Sequence, residues 1–249
     1  MFTRLLFVLL GIIFLFSCKK QSDRSCFKTS GDTKIKTVLL GDFSQLDLGP
    51  YIHYELIKDS VNFIEITAGE NLINFISSEI MENKLVIQDK NKCRFFRYKN
   101  EKVLVKIHFS DLNSIYYQGS EPLISLDTLN FSHKNLSIVL DDCSGSVDLK
   151  LKVKNISLSS PGGFSDINLA GSCDFFRVDI KGDGSFFTKN LDVKDSIHLI
   201  YHSFVYSELR GDNCKLKAEL SGVGDVGYYG LPSLILTNYY NSGRLIDKN

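Results

Sequence analysis

The sequence predicts an all-β protein built as a β-solenoid with turns of about 20 residues. Three observations lead to this prediction: strand-like alternation, the lack of a convincing capped amphipathic helix, and a repeat in the second half. Alternation of apolar and polar residues is clear in VNFIEIT (61–67), KLVIQ (84–88), KVLVKIHF (102–109) and LKLKV (149–153). The one helix candidate, 68–84, fits a turn followed by a strand equally well.

The repeat shows in columns of apolar residues, one with gaps of 20, 20, 19 and 20 and another with gaps of 20, 21 and 21. The first is Val147, Ile167, Phe187, Tyr206 and Val226; the second is Leu158, Val178, Leu199 and Leu220; Ile156, Phe176, Ile197 and Ala218 precede the second by two residues. One such turn cannot bury its apolar face alone, so turns would stack about 4.8 Å apart around a shared core. A β-sandwich also has short, evenly spaced strands, but it does not require residue classes to recur in register.

The N-terminal segment, 1–17, is typical of a signal peptide. Arg4 precedes an uncharged run, Leu5–Phe16, that is short for a membrane span. The sequence Leu15-Phe16-Ser17-Cys18 is similar to a bacterial lipobox, in which acylated Cys18 would become the mature N-terminus. Lipid on Cys18 would hold the protein to a membrane, predicted to be the outer membrane. An ordinary signal peptide with an incidental cysteine is the alternative.

The predicted organisation is a signal peptide (1–17), a lipidated cysteine with a polar tether (18–26) and one solenoid domain (27–249). Within that domain, 27–123 is less regular and 124–246 carries the repeats. The irregular part is expected to begin the same sheet system and to cap one end of the core.

The charge balance argues against a nucleic-acid partner. The chain carries 29 basic and 29 acidic residues, and such binding needs a net basic field. One segment, 89–102, interleaves lysines and arginines with Phe95, Phe96 and Tyr98, on which bases could stack. A solvated loop or a lysine-protected edge strand explains the same composition and is favoured.

The six cysteines divide by position. Cys173 and Cys214 fall in an apolar column and are predicted to be buried free thiols. Two turns would separate them by about 9.6 Å, too far for a disulfide. Cys26 and Cys93 remain as candidates to pair, and Cys143 is left over at a corner.

No catalytic, cofactor or metal motif stands out. His198 and His202 lie on a predicted strand about 13 Å apart, too far to share an ion. Asp148, Asp166, Asp183 and Asp225 recur near one corner of successive turns, where carboxylates could bind calcium or cleave a polysaccharide. Aspartate is also a favoured turn residue, and this structural explanation is preferred.

Aromatic doublets suggest a binding surface. Neighbours in a strand point to opposite faces, so if Phe176 and Phe187 lie in the core, Phe175 and Phe186 face outward. Tyr228-Tyr229, in the glycine-rich stretch SGVGDVGYYG (221–230), offers one more outward ring. These rings could bind a glycan or a protein, or they could cover one another.

Several stretches resemble the bacterial GIN-domain family, known as the "putative auto-transporter adhesin head" domain. They are GDFSQLDLGPYIHYELIKDSVNFIEITAGENL with NKLVIQ, SDINL (165–169) and LSGVGDVGYYGLP (220–232). CFKTSG (26–31) with NKCRFF (91–96) resembles a lipoprotein subset with two cysteines. The resemblance implies a right-handed parallel β-helix in the cell envelope and supplies no catalytic residues.

The sequence therefore predicts a lipid-anchored, non-enzymatic envelope protein without a cofactor. Its predicted role is binding or adhesion to a glycan or an envelope protein. The alternatives are a polysaccharide-cleaving enzyme that uses Asp166 and Asp183, and a structural lipoprotein without a ligand.

Overall fold

The structure, a computed structural model, describes residues 29–92 and 103–249. These ranges contain 18 strands in one connected sheet system, one 3-10 turn (Ile73–Phe75) and no α-helix. The strands are β1 (Thr33–Leu39), β2 (Gln45–Leu48), β3 (Ile52–Lys58), β4 (Phe63–Gly69), β5 (Ile76–Met81), β6 (Lys84–Asp89), β7 (Val103–Phe109), β8 (Ser114–Tyr117), β9 (Leu123–Ser125), β10 (Leu129–Leu140), β11 (Val147–Ser160), β12 (Asp166–Ile180), β13 (Ser185–Tyr201), β14 (Ser207–Arg210), β15 (Lys215–Leu220), β16 (Val226–Tyr229), β17 (Leu234–Tyr239) and β18 (Leu245–Asp247).

The predicted β-solenoid is confirmed: the chain winds through about 7 turns whose strands pair in parallel. The paired strands form two continuous stacks along the solenoid, which we call ladder 1 and ladder 2. Ladder 1 runs through β6, β2, β8, the C-terminal parts of β10 to β13, β15 and β17. Ladder 2 runs through β7, β3, β9, the N-terminal parts of β11 to β13, β14, β16 and β18. In the middle turns, the start of β10 and the central residues of β11 to β13 form a third side.

The N-terminal end of the solenoid is built from antiparallel strands. On ladder 1, β5 pairs with β6; on ladder 2, β4 pairs with β7 and β1 pairs with β4. The irregular first part of the chain therefore extends both ladders beyond the regular turns.

Inward side chains stack into columns that fill the core. Ile156, Phe176, Ile197 and Leu216 lie directly over one another in ladder 1, and none is more than 1% exposed. Burying one such side chain stabilises the fold by about 1.5–3 kcal/mol. The expected pairings Ile156–Phe176–Ile197 and Leu158–Val178–Leu199 are confirmed.

Beyond β13 the predicted register is wrong by two residues. Leu199 lies opposite Ala218, not Leu220, and Ile197 lies opposite Leu216. The spacing between paired residues of β13 and β15 is two residues shorter than the spacing of 21 that the column of Leu199 and Leu220 predicts, and this accounts for the shift in register. A shift of two leaves the same side chains facing inward.

A sharp bend in β12 depends on a glycine. Gly171 has φ +112°, and a Cβ there would lie 1.9 Å from the carbonyl oxygen of Leu151 in the preceding turn. Only glycine fits both this left-handed backbone and this close approach.

Cys143, Cys173 and Cys214 are buried and free. Cys173 lies opposite Val193 in a core position. Burial raises the pKa of the Cys143 thiol to about 11 and that of Cys173 to about 12. Cys18, Cys26 and Cys93 lie outside the described residues, as do the predicted signal peptide and most of the basic segment 89–102.

Candidate functional site

Two tyrosines from successive turns meet at one carboxylate on the outer face of ladder 2. Tyr206 precedes β14, and Tyr229 lies at the end of β16. Each donates a hydroxyl hydrogen bond of 3.1 Å to Oε1 of Glu208 in β14. We call Tyr206, Glu208 and Tyr229 the tyrosine–glutamate cluster.

Strand alternation and one glycine position this cluster. Ser207 and Leu209 are buried, so Glu208 between them points outward. Its partner in β16 is Gly227. A Cβ at Gly227 would lie 2.2 Å from the Tyr206 hydroxyl oxygen, so the missing side chain leaves the space that Tyr206 occupies.

Two lysines complete the charge pattern of the cluster. Lys189 Nζ lies 3.9 Å from the ring centroid of Tyr229, and Lys248 Nζ lies 5.6 Å from that of Tyr206. Cation–π contacts of this kind are worth about 0.5–1 kcal/mol at exposed sites. Desolvation and the bond to Glu208 raise the pKa of Tyr206 to about 12 and also raise the pKa of Tyr229. Both hydroxyls are therefore protonated donors at neutral pH.

A shallow depression adjoins the cluster on its N-terminal side. Phe187 lies opposite Glu208 in the ladder, and this residue is 36% exposed. Asn168 lies opposite Phe187 and donates a 2.8 Å hydrogen bond to Asp148 of the turn before. The polar side chains that line the depression are Ser125, Asp148, Lys150, Asn168, Lys189 and Asn190. One exposed ring is thus surrounded by groups that donate and accept hydrogen bonds.

Of the predicted tyrosine pair, Tyr229 joins the cluster and Tyr228 does not. Tyr228 lies opposite Leu209, packs partly against the core and bonds to Asp247. Desolvation, followed by that bond, raises the pKa of Tyr228.

The prediction that Phe186 faces outward is wrong. On ladder 2, the sequence spacing between paired residues of β12 and β13 is one residue shorter than the spacing between paired residues of β11 and β12. Ile167 therefore lies opposite Phe186 and not Phe187. Phe186 is 0% exposed and packs edge-on against Tyr201, with ring centroids 5.5 Å apart. Phe187 takes the outward position instead, and the predicted column of Val147 continues through Phe186 and Ser207 to Val226.

Phe175 does face outward, but on a different side of the solenoid. It lies in ladder 1 between Asn155 and Ser196 and is 36% exposed. It therefore shares no surface with the tyrosine–glutamate cluster. The predicted aromatic residues do not form a single row.

Three of the four corner aspartates have separate local partners, and Asp183 is not among these three. Asp148 accepts from Asn168, Asp166 from the Ser185 hydroxyl, and Asp225 from the Arg244 amide. Among residues 29–92 and 103–249, no group of three or more His, Cys, Asp or Glu side chains is placed to hold a metal ion.

Sequence reasoning missed Tyr206, Glu208 and Lys189. The apolar column predicts Tyr206 in the core, whereas it is 36% exposed. A buried Tyr206 would not be expected to contact the outward-facing Glu208, so the sequence did not indicate this pair. A signal for Glu208 was present, since Tyr229 follows it at a spacing close to one turn of the repeat. Lys189 lies two turns before Tyr229, and nothing in the sequence marks that contact.

Comparisons with known proteins agree with this architecture. The model of a family described as "putative auto-transporter adhesin, head GIN domain" matches residues 42–232. No curated protein matches the chain.

Within residues 29–92 and 103–249, the structure contains no apolar helix of a length that would span a membrane.

Solved structures with the same fold include proteins from Bacteroides and Parabacteroides species. A "putative adhesin" from Bacteroides fragilis NCTC 9343 has a TM-score of 0.74 and 20% identity, over 88% of this chain and 98% of that one. A "putative adhesin" from Parabacteroides merdae ATCC 43184 has a TM-score of 0.63 and 18% identity, over 89% and 98%. A "putative lipid binding protein" from Parabacteroides distasonis ATCC 8503 has a TM-score of 0.61 and 17% identity, over 87% and 97%. At such identities the likeness establishes the fold alone.

Proposed function

Because the chain belongs to the family described as "putative auto-transporter adhesin, head GIN domain", we propose that it is a non-enzymatic binding module of the cell envelope that holds a glycan. The proposed site is the tyrosine–glutamate cluster with its adjoining depression. The family supports an adhesin-like role at the envelope or surface, and the choice of a glycan comes from the chemistry of the site. The observation that carries it is the exposed ring of Phe187 within a border of polar side chains.

A sugar ring suits this surface because it has two kinds of face. Its C–H groups can stack on an aromatic ring, and its hydroxyls both donate and accept hydrogen bonds. Phe187 offers the aromatic ring, and Asp148 can accept hydrogen bonds from the sugar hydroxyls. Lys189 can donate hydrogen bonds to them, and Asn168 and Asn190 can both donate and accept. All five residues are on or next to ladder strands, and such rigid elements hold a site more precisely than loops do.

Anchoring of the module at the membrane is the second part of the proposal. The lipobox-like sequence at Cys18 and the polar tether 19–25 support it. An acyl chain contributes about 0.8 kcal/mol per buried methylene, and two chains give stable attachment. The solenoid would then be held at the membrane through the lipid on Cys18.

The test of glycan binding compares two phenylalanines with the same exposure. Phe187 and Phe175 are each 36% exposed but lie on different ladders. Binding partners are first selected on an array of bacterial and host glycans, and affinities are then measured by calorimetry. We expect Phe187→Ala to weaken binding about tenfold, since aromatic stacking is worth about 0.5–1.5 kcal/mol beyond buried area, and Phe175→Ala to leave it unchanged.

The outcomes separate the alternatives. Loss of binding in Phe175→Ala alone would place the site on ladder 1 and contradict the proposed location. No binding to any glycan would contradict the proposed ligand and leave a structural lipoprotein as the better description. Glu208→Gln keeps the side-chain shape but removes the charge, and it is expected to weaken binding without loss of thermal stability.

A further inference from the structure

We propose that the C-terminal end of the solenoid is an interface with a second copy of this chain. The surface consists of the free edge of β17, the open core beneath it and residues 240–243. It lies apart from the depression at Phe187, and the inference does not rest on glycan binding.

The last strand of each ladder has one unpaired edge. Among the described residues, β17 pairs only with β15, and β18 pairs only with β16. Within residues 29–92 and 103–249, the other edge of β17 therefore presents unpaired N–H and C=O groups, which are a template for another strand.

The part of the chain that the structure describes also leaves the core uncovered at this end. Ile235 continues the column of Ile197 and Leu216, each 1% exposed, yet Ile235 itself is 38% exposed. Tyr239 lies over the fully buried Leu220 and is 42% exposed. Outward from the core, Leu236 is 54% exposed and Tyr240 is 69% exposed.

The two ends of the solenoid differ in how their edges are protected. At the N-terminal end, edge strand β1 carries exposed Lys34 and Lys36, and β5 carries exposed Glu79. Such charges discourage pairing with another strand. Residues 231–243 contain no charged residue, and the charge nearest to them in sequence on the C-terminal side is Arg244, whose guanidinium lies 5.0 Å from the ring centroid of Tyr239. The C-terminal edge therefore lacks the protection that the other end has.

The uncharged edge fits a second copy better than a charged partner. In a twofold contact the same strand supplies both sides, and residues near the axis lie close to their own counterparts, so charges there would repel, whereas an apolar strand can pair with itself. Opposed residues of an antiparallel pair point to the same face. With Thr237 opposite its counterpart, Ile235 lies opposite Tyr239 of the second copy. Both residues are inward, so the pair would close the two cores against each other.

The test uses matched variants of the full chain. Leu236 and Val61 are 54% and 53% exposed, but Val61 lies between β3 and β4, far in sequence from the C-terminal edge. The full chain is extracted in mild detergent, and its mass is followed against concentration by analytical ultracentrifugation corrected for bound detergent. We expect a dimer whose dissociation constant rises at least tenfold in Leu236→Lys and stays unchanged in Val61→Lys.

A second measurement is made in intact cells. Asn238→Cys and Thr37→Cys place a thiol at an exposed position of the C-terminal and the N-terminal edge strand, and a short bis-maleimide is added. Only Asn238→Cys is expected to give a covalent dimer above the wild-type background. A wild-type chain that stays monomeric, equal dissociation by both lysine variants, or equal cross-linking at both ends would each overturn the inference.

Discussion

Phe186→Ala is expected to destabilise the protein far more than Phe187→Ala, although the two residues are adjacent. Phe186 is 0% exposed, while Phe187 is 36% exposed on the outer face. Replacement of a buried phenylalanine by alanine costs about 3–5 kcal/mol of the free energy of unfolding. Surface substitutions usually cost within about 0.5 kcal/mol, so the half-exposed Phe187 should cost about 1 kcal/mol at most.

The surroundings of Phe186 place its cost toward the upper half of that range. The ring packs edge-on against Tyr201, whose hydroxyl is held by the Val205 carbonyl at 2.6 Å and by Ser207 at 2.8 Å. Ile167 lies opposite Phe186 in the ladder, and the Phe186 amide donates to the Ser207 hydroxyl at 3.0 Å. Because strand pairing fixes these neighbours, the cavity left by alanine cannot collapse, and each cubic ångström of it costs about 24 cal/mol.

Urea denaturation followed by far-UV circular dichroism measures both variants, since the chain contains no tryptophan. The midpoint is expected to fall strongly for Phe186→Ala and little for Phe187→Ala, with similar slopes. An equal or larger effect of Phe187→Ala would refute the assigned inward and outward positions, and with them the exposed ring of the proposed site.

Three further predictions concern a bend, a thiol and the lipid. Gly171→Ala should lower the free energy of unfolding by more than about 1 kcal/mol, because alanine would have to adopt a positive φ and its Cβ would clash with the Leu151 carbonyl oxygen. Gly41→Ala is the control. A Cβ at Gly41 would have its nearest atom 3.9 Å away, so this variant should change the urea midpoint little. Burial raises the pKa of Cys143 from 9.0 to about 11, so the native state holds this proton more tightly and the free energy of unfolding falls as pH rises from 9 to 11. Cys143→Ala should therefore lose less stability than the wild type between pH 9 and pH 11, as measured by urea midpoints at several pH values. If the midpoint of the variant fell with pH as steeply as that of the wild type, Cys143 would not be the group responsible. In an expressing bacterium, radiolabelled palmitate should enter the wild-type chain but not Cys18→Ala, and equal labelling would show that Cys18 is not the acceptor.

The solenoid was predictable because its core is periodic. Residues such as Ile156, Phe176 and Ile197 must stack to be buried, so the period is written into the sequence. The antiparallel strands β1, β4 and β5 carry no such repeat, and their pairing depends on contacts that a single sequence does not reveal. The cluster at Glu208 was hidden for a related reason: its residues meet across turns of unequal length.

The errors of register at and after β13 had unequal consequences, and strand geometry explains why. The shift after β13 was two residues, so Ala218 replaced Leu220 opposite Leu199 while both stayed inward. The shift at β13 was one residue, which exchanged the buried and exposed members of Phe186-Phe187. An error of two residues thus leaves a predicted core intact, whereas an error of one moves a side chain from core to surface. In a solenoid whose turns differ in length by one or two residues, the core columns can be predicted from the sequence, but outward aromatic residues need the register of each turn.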